Sequence, residues 1–161
     1  MTKPTKEFNE TGEGAPRPEL PFKERDAITA VVRNPENGTY LGLRWKKIDW
    51  QTFITGGIEE GQTAEEAARA EVLEEAGYGE LSLVCELPRY DAKFFHGPKN
   101  VNRHARFQCF LFESSNDEAR TLSEEELAKH EPVWLSKEDL EQFNLPEGHR
   151  YLLNYIQANK L

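Results

Sequence analysis

The stretch Gly56-Gly57-Ile58-Glu59-Glu60-Gly61-Gln62-Thr63-Ala64-Glu65-Glu66-Ala67-Ala68-Arg69-Ala70-Glu71-Val72-Leu73-Glu74-Glu75-Ala76-Gly77-Tyr78 decides how the chain is read. Thr63 to Glu66 has the S/T-x-x-E form of a capping box, and strong helix formers follow as far as Ala76. Gly77 then supplies the helix stop. Glu71, Glu74 and Glu75 stand at i, i+3 and i+4, so their carboxylates leave one helix face with Cβ atoms about 5–6 Å apart. Like charges at that spacing cost a helix roughly 0.2–0.5 kcal/mol per pair, which a solvated face bears and a divalent cation reverses. The two readings are therefore an acidic stripe in water or a cation site.

Context favours the cation. The glycine turn lets backbone approach a ligand closely, and the helix N-terminus beside it presents free N–H groups suited to phosphate oxygens. Oxygen-only, water-rich sites shared with substrate phosphates are what magnesium takes.

Working outward, Asp26–Arg33 is β-branched and apolar, a buried strand, and the turn Asn34–Gly38 leads to Thr39–Trp45 as the second arm of a hairpin. Gln51–Thr55 is a short strand running into the glycines. Leu81–Leu87, Ala92–Phe95, Arg103–Glu113 and Glu131–Leu135 read as further strands. Ser136 caps a brief helix through about Phe143, and Glu147–Asn159 gives a last helix with Leu152, Leu153 and Ile156 at helical spacing. Strands broken by one early helix and closed by C-terminal helices predict a mixed central sheet flanked by helices, an α/β/α sandwich of the α+β kind. Residues 1–20 read as a disordered tail, and 21–161 as one domain.

Composition narrows the function classes. The longest apolar runs, Ala27–Val32 and Phe107–Phe112, are strand-sized, and Met1–Gly14 lacks the apolar core of a secretory signal. Cys85 and Cys109 sit in apolar, strand-like runs as small buried thiols, so a cytoplasmic setting is expected. The net charge of −9 argues against a nucleic-acid surface, which needs clustered Lys and Arg. The acid gathers at Glu59–Glu75 and Asp117–Glu131.

The quoted stretch resembles the Nudix box, G-x5-E-x7-R-E-U-x-E-E-x-G-U with U bulky and apolar. Gly56, Glu71, Val72, Glu74, Glu75 and Gly77 fall on it, with Tyr78 standing loosely for the last U. Gln62 departs where the family has Glu, and Ala70 where it has Arg. The resemblance implies a hydrolase that cleaves a phosphoanhydride in a nucleoside diphosphate linked to another moiety. Glu71, Glu74, Glu75 and the Thr55 carbonyl would hold Mg2+, or Mn2+ in its place, and Gln62 occupies a position with a metal or base role in the family. A further acid from outside the box often acts as base, which directs attention to Glu124, Glu125, Glu126 and Glu131, with Glu125 singled out. Because the two departures weaken the pattern, a binding module with little turnover is the alternative. Family members are often homodimers, and the oligomeric state is left open.

For the substrate, Gly56 and Gly57 would touch phosphate, and Trp45, Trp50, Tyr90 and Phe95 could stack on a base or belong to the core. Lys93, His96, Lys99, Arg103 and His104 form a basic stretch that either meets phosphates or is a polar hairpin tip. The phrases Pro21–Asp26, Trp50–Gly57 and Lys93–His96 are also similar to Nudix modules of some bacterial leucyl-tRNA synthetases.

Overall fold

A computed structural model describes residues 5–47, 50–114 and 119–161. Its centre is the pairing of two long strands, β2 (Phe22–Arg33) and β7 (Val101–Ser114), which run parallel in unbroken register from Phe22↔Asn102 to Arg33↔Glu113. Around them lie β1 (Lys6–Asn9), β3 (Tyr40–Trp45), β4 (Gln51–Thr52), β5 (Ile54–Gly57), β6 (Leu81–His96) and β8 (His130–Leu135). The order is β1-β6-β7-β2-β3-β4, with β5 on β2 and β8 on β3, a mixed sheet as predicted.

Alternation along β2 divides the interior into two layers. Ile28, Ala30 and Val32 face helix α1 (Ala64–Ala76), meeting its Ala67, Ala68, Val72 and Ala76. Val31 faces the other way, into a cluster with Leu140 of α3 (Lys137–Gln142) and Leu152, Leu153 and Ile156 of α4 (Glu147–Ala158). The predicted sandwich is thus built by one helix on one face and two on the other.

α1 begins and ends as its sequence dictates. Thr63 Oγ1 accepts from the Glu66 amide at 3.1 Å, and Gly77 adopts φ 86°, where its N–H reaches the Leu73 and Val72 carbonyls. A Cβ at Gly77 would also lie 2.6 Å from the Arg120 carbonyl oxygen, so only glycine fits.

Several expectations are corrected. Residues 1–20 are not a structureless tail over their described part: Lys6–Asn9 forms an edge strand parallel to β6, and Gly12–Gly14 makes a 3-10 turn. Buried Asn102 pins the chain between that turn and β2, accepting from the Arg17 amide at 2.8 Å and donating to the Leu20 carbonyl at 2.9 Å. Residues 1–4 lie outside the described part, as does Asp117 of the second acidic cluster. The two strands expected over 81–95 are one, because irregularities at Leu83/Cys85 and Leu87/Tyr90 absorb Pro88 without ending the ladder. The strand expected over Gln51–Thr55 splits instead, as its halves pair with different neighbours. The β2–β3 hairpin is held by a single pair, Arg33↔Tyr40, since β3 spends its length on β8. The acidic segment before β8 contains a short helix, α2 (Glu124–Lys129), capped by Ser123 Oγ on the Glu126 amide. Both cysteines are free thiols, Cys109 buried and Cys85 partly so. Among the described residues no helix is long and apolar enough to cross a membrane.

The Thr63 cap is isolated enough to test. Thr63→Ala removes the acceptor for the Glu66 amide and should lower unfolding free energy by about 1 kcal/mol in denaturant titration, with an unchanged slope.

Candidate active site

The buried stripe of α1 decides which box glutamates are drawn inward. Val72 and Ala68 point into the sheet, so Glu71 and Glu75 lie at the border of that stripe and are only partly exposed, while Glu74 is exposed. Strand β5 meets this border with two glycines. A Cβ on Gly56 would sit 2.2 Å from Glu71 Cδ, and one on Gly57 would sit 2.4 Å from Arg25 Nη2. The glycine pair therefore makes room for a carboxylate on one face of β5 and a guanidinium on the other.

This packing leaves acid crowded on acid. Burial, then the charge of Glu74, raises the Glu71 pKa to about 7, Arg25 opposing and Glu126 and Glu59 adding to the rise. Burial, then Glu71, Glu126 and Glu74, pushes Glu75 to about 9 against the opposing Lys129. Glu75 Oε2 is buried without a hydrogen-bond partner among the described residues. An orphaned carboxylate oxygen among further carboxylates is a donor set that fits a hard divalent cation, and Thr55 precedes in β5 the Gly56 on which the Glu71 carboxyl packs.

Of the acids outside the box, Glu126 rather than Glu125 is turned toward this group. Its side chain is 13% exposed and lies 3.7 Å from His130 Nε2, whereas Glu125 is 82% exposed and pairs with Lys129 at 3.6 Å. His130 is fully buried and its Nε2 donates to the Glu75 carbonyl at 2.9 Å, tying the end of α1 to β8. Arg25 and His130 were not singled out from the sequence as site residues, and of the four acids named together there Glu125 was preferred to Glu126.

The other box positions do local work. Gln62 Oε1 accepts from the Glu59 amide at 3.0 Å and its own N–H returns to the Glu59 carbonyl at 3.0 Å, closing the turn. Ala70 is exposed, and Arg69 is committed to Glu65 at 3.0 Å and to the Leu81 carbonyl at 2.7 Å.

Beyond Gly56, on the α4 side of the sheet, opens a cleft of about 520 Å³. Trp45, Trp50, Phe94, Phe95 and Phe107 are among its walls, with Arg25 and His96 as cationic or basic groups and Thr55 and Gly56 at its end. Trp45 Nε1 donates to Thr52 Oγ1 at 2.9 Å and its ring meets His130 edge-on at 4.9 Å, so it bridges cleft and acids. The predicted basic stretch divides. His96 lines the cleft, its pKa lowered by burial and by Arg103, Lys99 and Arg25. Arg103 is not among the residues lining the cleft; it is buried near Arg25, its Nε without a hydrogen-bond partner among the described residues. Lys93 is turned to Glu7 at 3.2 Å, and His104 is clamped between Glu24 and Asp91. Glu7, Asp91 and His104 bring three ligand atoms within 4.8 Å of one another at the β1 side of the sheet.

Residues 23–156 match the NUDIX domain family. RNA pyrophosphohydrolases of Helicobacter pylori are similar in sequence: that of strain G27 is 36% identical over 93 residues, covering 55% of this chain and 57% of that protein. That of strain P12 is 44% identical over 94 residues with the same coverage of both. The chain thus spans 57% of the length of these curated relatives. In fold it is similar to the Escherichia coli dihydroneopterin triphosphate pyrophosphohydrolase, with a TM-score of 0.63 and 19% identity over 86% of this chain and 98% of that one. It is also similar to the NUDIX domain of Shewanella oneidensis NrtR, solved with ADP ribose, with a TM-score of 0.65 and 12% identity over 90% of this chain and 94% of that one.

The crowded acids carry a pH signature. Because Glu71 and Glu75 hold protons more tightly folded than unfolded, stability is greatest near the unfolded carboxylate pKa and falls as pH rises through about 7 and then about 9. In the presence of EDTA the Tm should drop by roughly 5 °C or more between pH 5.5 and 8.5. Glu75→Gln should remove most of that drop.

Proposed function

The chain belongs to the Nudix family, and from that premise we propose that it hydrolyses a pyrophosphate bond in a nucleotide-type small molecule with the help of a divalent cation. One observation carries the reading: the Glu71 carboxyl packs on Gly56, at the end of an aromatic cleft that also holds Arg25, and one turn further along the same helix face the Glu75 Oε2 is buried with no partner among the described residues.

In this account the cleft takes the base between aromatic faces, each stacked contact contributing about 1–3 kcal/mol. Arg25 and His96 receive phosphate oxygens, and Arg103 reinforces the positive potential from behind. Glu71, Glu74, Glu75 and the Thr55 carbonyl would hold Mg2+ or Mn2+, which when bound neutralises charge on the pyrophosphate and makes water easier to deprotonate. Glu126 accepts the proton of the attacking water, with His130 beside it. Water attack on one phosphorus then breaks the bridging P–O bond and leaves two phosphorylated products.

The family arginine that would orient the glutamates is absent at Ala70. Burial against Gly56 and the nearby charge of Arg25 hold Glu71 instead. The second reading, a module that binds nucleotide with little turnover, is favoured by Gln62 being spent on the turn and Ala70 on solvent. An RNA substrate, as in the names of the Helicobacter pylori relatives, is the other substrate class to test. The net charge of −9 speaks for a small molecule.

Purified protein is to be incubated with Mg2+ and a panel of nucleoside diphosphate derivatives and a 5′-triphosphorylated RNA, products being resolved by chromatography. Hydrolysis of a small-molecule member is expected, falling by about 10²–10⁴-fold in Glu126→Gln and within about threefold of the parent in Glu125→Gln. Equal turnover in the parent and in Glu74→Gln, or none in either, would count against a hydrolase. Restoring the family pattern with Gln62→Glu and Ala70→Arg should change kcat by less than about tenfold, on the order of 1.4 kcal/mol. A rise from near zero would instead identify the binding module.

A further inference from the structure

The cleft is completed by chain that precedes the family-matched residues. Phe8 of β1 forms part of its wall, held edge-on by Tyr90 at 5.9 Å and 74° and tilted on Tyr151 at 5.7 Å. The Glu10 amide donates to the Lys93 carbonyl at 3.0 Å, continuing the alignment of β1 with β6, and this sets the Glu10 side chain at the cleft. Its carboxylate has no hydrogen bond or ion pair with any described residue. Burial, then the like charge of Glu147, raises its pKa. An acceptor in an aromatic wall, repelled by its neighbour, is stabilised by a ligand that brings N–H donors.

The facing chemistry comes from the first turn of α4, where Pro146, Gly148 and His149 line the same cleft. Gly148 is seated on the Tyr90 ring, since a Cβ there would meet it at 2.3 Å. His149 is 4% exposed and stacked on Phe53 at 5.7 Å, and its Nδ1 accepts the Phe53 amide hydrogen at 3.1 Å. A backbone N–H can only donate, so Nδ1 carries no proton; burial lowers the ring's pKa to about 3 and keeps it neutral. The tautomer is thereby fixed with hydrogen on Nε2, a donor with no acceptor among the described residues.

We propose that Glu10 and His149 make the cleft selective for a guanine base, the Glu10 carboxylate accepting from two adjacent ring-edge N–H groups and His149 Nε2 donating to a ring acceptor. Guanine offers N1–H and its 2-amino group side by side, with O6 and N7 as acceptors. Adenine offers only its 6-amino group there and turns the N1 lone pair toward the other carboxylate oxygen, a repulsive contact in place of a second hydrogen bond, which is how a polar pocket rejects the wrong ligand. The proposal rests on the reading of the cleft as a nucleotide site, but not on hydrolysis.

Binding of GMP, IMP and AMP, none of which contains a phosphoanhydride, is to be measured by quenching of tryptophan fluorescence, Trp45 and Trp50 lying in the cleft wall. GMP should bind about tenfold tighter than AMP, with IMP, which lacks the 2-amino group, between them. Glu10→Ala and the isosteric Glu10→Gln should bring GMP to within about threefold of AMP while circular dichroism and Tm stay those of the parent. Equal affinities, a preference for AMP, no binding of any of the three, or a guanine preference that survives both substitutions would overturn the proposal. Guanine preference without hydrolysis of any diphosphate would uphold it and sink the hydrolase reading, whereas hydrolysis with no base preference would do the reverse.

Discussion

Everything at the site depends on one constraint: Glu71 and Glu75 border the buried stripe of α1, so the packing that holds the helix on the sheet also holds these two carboxyl groups half out of water. Val72 and Ala68 anchor that stripe against β2 and β5, and Gly56 leaves just the space that the Glu71 carboxyl fills. Two negative charges held this way repel each other, and the protein supplies little to offset them beyond Arg25 and Lys129. Relief comes by protonation or by a cation, and near neutral pH the two compete. The same glycine strand presents its other face to the aromatic cleft, so the acids and the cleft meet across a single backbone thickness.

The geometry also shows what the two positions that depart from the family pattern do in this chain. Gln62 forms a reciprocal pair of hydrogen bonds with the Glu59 backbone and so keeps the turn that delivers Thr63 to its cap. At position 70 an arginine would project from an exposed part of the helix, whereas Arg25 reaches the region of Glu71 from β2. Glu71 is thus set by packing on Gly56, with the charge of Arg25 acting on it from a strand and not from the helix.

How much of this was legible in the sequence depends on how local the cause was. α1, its cap, its glycine stop and the spacing of its three glutamates rest on neighbours within a few residues, and they could be read directly. The alternating strands could be read too, although Pro88 hid the continuity of β6, which only the ladder with β7 preserves. What failed was set by distant partners. Lys6–Asn9 has no strand signal of its own and is ordered by β6; the short helix at Glu124–Lys129 was obscured by its acidity. The choice of Glu126 over Glu125 depends on which face of that helix meets His130, and Arg25 entered the site because Gly57, thirty-two residues later in the chain, lacks a side chain.

The most direct measurement is calorimetric titration of Mg2+ and Mn2+ into the protein near pH 7.5, repeated in buffers of different ionisation enthalpy to count protons. Occupation of the site should displace about one proton per protein from the Glu71 and Glu75 pair, and both the binding and the release should disappear in Glu75→Gln. Absence of binding by either ion, or binding that releases no proton and persists in the variant, would contradict the account at its root.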